Sequence, residues 1–98
     1  MGKMRAIVMK AKDNVATAVE EIAPGTKVDL VIDGQKIVVL VTEKIPFGHK
    51  FAIRDITRDE KVIKYGEPIG VATQAIKMGQ HTHVHNMAGC RGRGDLTG

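Results

Sequence analysis

The chain has 98 residues, a formal net charge of +4 and one cysteine, Cys90. This length predicts a single domain, and a lone cysteine excludes a disulfide framework and fits a reducing compartment, so a soluble cytoplasmic protein is expected. No run approaches the roughly 20 apolar residues of a membrane span, and the first residues lack the long apolar stretch of a secretory signal, which argues against membrane insertion and export.

The apolar residues are mainly valine and isoleucine, and the aromatic residues are limited to Phe47, Phe51 and Tyr65. Because β-branched side chains favour pleated sheet, this composition predicts a core built from strands. Basic residues are interspersed with acidic ones, and the aromatic side chains on which single-stranded nucleic acids stack are nearly absent. A nucleic-acid partner is therefore not expected.

The N-terminal segment Met4–Met9 is typical of a strand. Apolar residues then recur at the spacing of one helical face, which predicts a short helix over residues 15–22. Asp13 or Asn14 would cap this helix at its N-terminus, and Pro24-Gly25 would end it.

Two β-branched runs, Lys27–Ile32 and Lys36–Thr42, are separated by Asp33-Gly34, which is a strong signal for a β-hairpin. Short strands and turns continue to alternate after the hairpin. The predicted turns lie at residues 45–48, 58–60 and 66–68, and the predicted strands at residues 50–56, 62–65, 69–76 and 81–86.

These elements predict a mostly-β domain over residues 1–86 with one short helix. No internal repeat is apparent. Residues 87–98 are rich in glycine and lack periodicity, so they are expected to form a flexible tail.

Three of the four histidines, His81, His83 and His85, alternate within five residues. On a strand they would lie on one face, with neighbours roughly 6.6 Å apart. Two of them could then bind one metal ion, and a third ligand would come from a bend in the strand or from His49. The alternatives are proton transfer near neutral pH, binding of an anion, or a purely structural polar face.

Three further groups are candidates for binding or catalysis. Lys50 would offer a positive charge to a carboxylate or phosphate, and His49 an acid–base group. Glycines close to Tyr65 indicate a tight turn near a ligand or a plain β-turn. Arg91 and Arg93 could close over an anion or belong to a disordered basic end.

Four motifs in order resemble the N-terminal SAF-type domain of the altronate dehydratase and galactarate dehydratase family. They are Asp13-Asn14-Val15-Ala16, Gly48-His49-Lys50-Phe51-Ala52, Ile63-Lys64-Tyr65-Gly66-Glu67-Pro68-Ile69-Gly70, and the alternating histidines after Gly79 that end at Asn86. The resemblance covers the chain from about Lys10 to Asn86 and implies a β-clip fold.

The resemblance also implies a stand-alone small subunit of a hydroxy-acid lyase, whose partner is a large dehydratase-type subunit. The substrate would be a sugar acid or another hydroxy acid. Similarity to the sulfolactate sulfo-lyase small subunit leaves open whether a C–O or a C–S bond is cleaved. A divalent metal, Fe²⁺ or Mn²⁺, would be held mainly by the large subunit.

On this basis the expected site has three groups of residues. The catalytic residues would be His49, Lys50, His83 and His85. The substrate-binding residues would be Asn14, Lys64, Tyr65, Asn86, Arg91 and Arg93. The metal ligands would be His81, His83 and His85. The alternative function is a non-catalytic SAF-type module that binds a carbohydrate or an anion, and a homo-oligomer remains compatible with either function.

Overall fold

The computed structural model describes residues 5–8, 10–32 and 34–89. Within these ranges every regular element is a strand, so the described residues contain no helix that could span a membrane. The mostly-β prediction is thereby confirmed. The described part of the chain has nine strands: β1 (Ala6–Ile7), β2 (Val15–Ala18), β3 (Lys27–Ile32), β4 (Gln35–Leu40), β5 (Lys50–Ala52), β6 (Lys61–Lys64), β7 (Glu67–Ala72), β8 (His81–Thr82) and β9 (Met87–Gly89).

A central antiparallel sheet with the strand order β1-β2-β5-β8 separates two hydrophobic cores. Successive side chains of a strand point to opposite faces of the sheet. Ala16 and Phe51 accordingly pack into one core, whereas Val15 and Ala52 pack into the other. The sheet is therefore covered on both faces near its centre.

The predicted helix over residues 15–22 is wrong, because its first half forms β2. This strand pairs with β1 on one side and β5 on the other, and nearly every residue in it is buried. A strand covered on both faces has a continuous apolar run rather than an alternating one. Such a run also satisfies the spacing of a helical face, and the β-branched residues Val15 and Thr17 favour the strand.

The predicted β3–β4 hairpin is confirmed, with Lys27 opposite Leu40 and Ile32 opposite Gln35. Gly34 in its turn has a φ of 81°. Val28 and Leu30 are buried, so one face of the hairpin joins the first core.

The β6–β7 turn lies one residue earlier than predicted, at Tyr65-Gly66 instead of residues 66–68. The pairing of Lys64 with Glu67 leaves a two-residue loop. Both loop residues have a positive φ, 57° for Tyr65 and 76° for Gly66, as a type I′ turn requires. Pro68 therefore lies in β7.

Strand β9 pairs with β7, so the described sheet continues three residues beyond Asn86. Arg91 and Arg93 of the expected tail lie outside the described residues.

The expectation that the chain has no internal repeat is wrong. One short pattern occurs four times among the described residues. Each copy begins with an isoleucine that forms an isolated β-bridge with another isoleucine. A residue with positive φ follows three positions later, and a strand begins two positions after that residue. Ile22 bridges to Ile45, and Ile56 bridges to Ile76. The residues with positive φ are Gly25, Gly48, Asp59 and Gly79. The repeated unit is short and unevenly spaced, which is why its pattern is inconspicuous in the sequence.

Candidate functional site

The four histidines of the chain lie together at the β5–β8 edge of the central sheet. The pairing of Phe51 with His81 and of Lys50 with Thr82 places His49 opposite His83. The ring centroids of His49 and His83 are 4.2 Å apart, and those of His81 and His83 are 5.4 Å apart. The cluster is thus assembled by strand pairing between residues distant in sequence.

The predicted strand over residues 81–86 is wrong beyond Thr82. The chain turns after β8, and the backbone N–H of Asn86 donates to the carbonyl of His83 at 3.0 Å. The turn keeps His85 near the cluster, with its ring centroid 5.3 Å from that of His81. His85 is exposed, whereas the other three imidazoles are partly buried.

Asn86 holds the backbone of the histidine segment. Its Nδ2 donates to the carbonyl of His81 at 2.9 Å, and its Oδ1 accepts from the backbone N–H of His83 at 2.9 Å. The residue is buried. The oxygen and the nitrogen of the amide therefore both bind backbone groups. Asn86, expected from the sequence to bind substrate, thus positions the backbone of the histidine segment.

Glu43 completes this edge, and the sequence analysis missed it. Its Oε1 accepts a hydrogen bond from the backbone N–H of His81 at 2.9 Å. A carboxylate that lies 38 positions before its partner in the chain gives no local signal, so only the fold could identify it.

Three of the imidazoles offer donor atoms that converge. One ring nitrogen from each of His49, His81 and His83 lies within 4.8 Å of the other two. Nδ1 of His49 and Nε2 of His81 are only 2.9 Å apart. The convergent set contains His49 and not His85, although the sequence favoured His85 as the third ligand.

The surroundings favour the neutral form of two of these rings. Burial lowers the pKa of His81, as do His49, His85 and His83, and Glu43 opposes the shift. Burial also lowers the pKa of His83, with further contributions from His49, Lys50 and His85. Neutral imidazole is the form that accepts a proton or binds a metal ion.

These shifts predict that acid destabilises the metal-free protein. Below a pH of about 6.5, His81 and His83 take up protons more readily in the unfolded chain than in the folded one, so the free energy of unfolding falls between that pH and their lowered pKa values. The melting temperature, measured with chelator present, should therefore drop as the pH falls through this window. A His81→Gln/His83→Gln variant should show a shallower drop, and an equal slope for both proteins would contradict the assignment.

Lysine charges lie beside the cluster. Burial and the charge of Lys64 lower the pKa of Lys50, which in turn interacts with His83. The Nζ of Lys64 lies 4.8 Å from the centroid of the Tyr65 ring. The structure thus brings Lys50, Lys64 and Tyr65 together in a cationic patch that could receive a carboxylate.

Asn14 and Asp13 hold the β6–β7 hairpin, which carries Lys64 and Tyr65 of this patch. Asn14 donates from Nδ2 to the carbonyl of Lys61 at 2.9 Å and accepts at Oδ1 from the N–H of Ile63 at 2.7 Å. Asp13 accepts at Oδ1 from the N–H of Gly66 at 2.7 Å. Both residues are buried, so Asn14, expected to bind substrate, has a positioning role like that of Asn86.

Comparison with known proteins gives a consistent set of relatives. The family described as the altronate/galactarate dehydratase SAF domain matches residues 4–89. Altronate dehydratase of Escherichia coli (strain K12) is 45% identical over 83 residues, which cover 85% of this chain and 16% of that protein. Galactarate dehydratase (L-threo-forming) of the same organism is 41% identical over 69 residues, which cover 68% of this chain and 12% of that protein.

A further relative is itself a subunit. The (2R)-sulfolactate sulfo-lyase subunit alpha of Chromohalobacter salexigens is 55% identical over 47 residues, which cover 48% of this chain and 50% of that protein. The chain therefore spans a small part of the two dehydratases, and its match to this subunit covers half the subunit's length.

Proposed function

The chain belongs to the family of altronate/galactarate dehydratase SAF domains, and we propose that it is the small subunit of a cytoplasmic hydroxy-acid lyase. In this proposal the chain contributes the histidine cluster and the cationic patch of Lys50, Lys64 and Tyr65 to an active site shared with a large dehydratase-type subunit. The observation that carries the proposal is the stacked pair of His49 and His83 beside Lys50, at the sheet edge formed by β8.

The chemistry is an elimination from a hydroxy acid. A base removes the proton from the carbon next to the carboxylate, the C–H electron pair becomes the new C=C bond, and the leaving hydroxide takes a proton and departs as water. If the leaving group is a sulfonate, sulfite departs in its place. The enol product then rearranges to the keto acid.

We assign the proton acceptor to His85, because it is the exposed histidine of the cluster and so can reach a substrate held between two subunits. His49 and His83, predicted as catalytic, are partly buried and stack on each other, so we assign them to the support of the site. Lys50 and Lys64 would bind the substrate carboxylate. As charge develops on that carboxylate, it would be stabilised by Lys50 and by a divalent ion, Fe²⁺ or Mn²⁺, held mainly by the large subunit.

Two exposed apolar side chains support a partner at this edge. Phe47 is 71% exposed and lies two residues before His49, and Val84 is 79% exposed and lies between His83 and His85. Exposed aromatic and aliphatic residues beside a site are characteristic of protein interfaces. We propose that the large subunit covers both residues as it closes over the histidines.

The test is co-expression of the chain with a large dehydratase-type subunit from the same genome. We expect co-purification, and turnover of a sugar acid or sulfolactate by the complex but not by the chain alone. A Phe47→Ser/Val84→Ser variant should weaken the complex at least about tenfold, since interface anchors typically cost 2 kcal/mol or more.

The matched control is Val38→Ser. Val38 is 52% exposed but lies on the β3–β4 hairpin, which carries no histidine, so the complex should be unchanged. Equal weakening by both variants would contradict the interface. Turnover by the isolated chain would contradict the shared site.

The cationic patch by itself favours a second function, that of a non-catalytic module that binds an anion. It predicts that the chain binds a hydroxy acid and that no lyase activity appears with any large subunit. Binding should then be lost in Lys50→Met and retained in His85→Gln.

A further inference from the structure

We propose that this chain binds one divalent transition-metal ion by itself, through His49, His81 and His83. The site would lie on the small subunit and is separate from a metal held by the large subunit. The inference rests on the geometry of three side chains and stands whether or not the chain is part of a lyase.

The spacing of the donor atoms suits a single ion. Metal–imidazole bonds of about 2.0–2.1 Å place two nitrogens about 3.3 Å apart around a tetrahedral ion. The three nitrogens lie within 4.8 Å of one another, so shifts of about 1 Å or less in these partly buried rings would complete the site.

The shortest contact of the cluster brings two possible ligand atoms close to the separation expected around one ion. Nδ1 of His49 and Nε2 of His81 lie 2.9 Å apart. In the metal-free chain this contact fits a hydrogen bond in which one neutral ring donates its N–H and the other ring accepts, and a bound metal ion would take the place of that proton. A third ring nitrogen, from His83, converges on the same point, which a proton shared by two rings does not require.

The donor set selects the class of ion. Imidazole nitrogens suit Zn²⁺, Co²⁺, Ni²⁺, Cu²⁺ and Fe²⁺, whereas Mg²⁺ and Ca²⁺ require oxygen ligands. Among the described residues, the convergent set contains no carboxylate. Three protein ligands leave at least one position open, as in catalytic zinc sites.

The backbone holds the ligands in place before any ion arrives. His49 is positioned by the pairing of β5 with β2, because its carbonyl accepts from the N–H of Ala18 at 2.8 Å. Asn86 fixes the backbone of both His81 and His83. Ligands held by such outer contacts lose less conformational entropy on binding.

The competing explanation is a histidine-rich tract that binds metal without a fold. Such a tract would use His81, His83 and His85 and would not need His49. The two explanations therefore differ in which histidine is dispensable, and this difference defines the experiment.

The experiment titrates Co²⁺ into the purified full chain, without a partner, and follows visible absorption and calorimetry. We expect one ion per chain, and little binding of Mg²⁺ under the same conditions. His49→Ala and His83→Ala should weaken Co²⁺ binding at least about 10–100-fold. His85→Ala should leave the dissociation constant unchanged. Melting curves in chelator check that each variant is folded, and His49→Gln replaces His49→Ala if the latter is not.

Binding that survives the loss of His49 and disappears with His85 would overturn the proposal in favour of an unstructured tract. Absence of Co²⁺ binding by the folded wild-type chain would also overturn it. Neither result bears on assembly with a large subunit, because assembly is measured by co-purification. A failure of the metal-site proposal is therefore distinguishable from a failure of the lyase proposal.

Discussion

Gly79→Ala is expected to lower the free energy of unfolding by on the order of 4 kcal/mol or more, which is a large part of the total for a small domain. Gly79 has a φ of 92°. A Cβ at this position would overlap the carbonyl oxygen of Leu40 and lie 3.1 Å from its carbonyl carbon. The obstacle is backbone, which cannot rotate away as a flexible side chain can.

The location of Gly79 makes this overlap difficult to relieve. Its N–H donates to the carbonyl of Ala52 at 2.8 Å, and its carbonyl accepts from the N–H of Thr42 at 2.9 Å. Gly79 thus ties the central sheet to the segment that follows β4. Any shift that accommodates a methyl group must loosen one of these hydrogen bonds, two residues before His81.

Gly25→Ala is the matched control, because Gly25 occupies the equivalent position of another repeat. Its φ is 87°, and a Cβ there would meet nothing within 4 Å. It should therefore cost only the conformational penalty of about 1–2 kcal/mol. Urea unfolding and melting temperatures measure both variants, and equal losses would show that the overlap with Leu40 is relieved without cost.

The fold could be predicted from the sequence where the signal was local. Asp33-Gly34 is a strong turn signal by itself, so the sequence predicts the β3–β4 hairpin, whereas its register and the start of β4 at Gln35 come from the structure. The segment after Asn14 was misassigned because its burial on both faces depends on β1 and β5, which are brought alongside by the tertiary fold. The repeated isoleucine turns were missed because each consists of only a few residues.

The site could be predicted in its residue types but not in its arrangement. The alternating histidines identified the segment, yet the proximity of His49 depends on a contact between residues 32 positions apart. Asn14 and Asn86 illustrate a second limit. An asparagine that binds a substrate and one that binds the backbone have the same chemistry, and only the hydrogen-bond partners in the fold distinguish them.

His85→Gln is expected to lower kcat of the reconstituted lyase by about 10²–10⁴-fold, because glutamine keeps a polar side chain but cannot accept the substrate proton. The KM should change little, since the lysines, and not His85, bind the carboxylate in our proposal. Co²⁺ binding by the isolated chain should also be retained. This combination separates proton transfer from both substrate binding and metal binding.

The control for His85→Gln is Gln74→Ala, which removes the 3.2 Å hydrogen bond from Nε2 of Gln74 to the carbonyl of His85 and leaves the imidazole in place. A modest fall in kcat is expected if that hydrogen bond only positions the turn. Steady-state kinetics across pH provide the second readout, because the limb of the kcat profile that reports the base should disappear in His85→Gln. If His85→Gln turns over within about tenfold of wild type with that limb intact, the proton is taken by another group, and His85 is not the base.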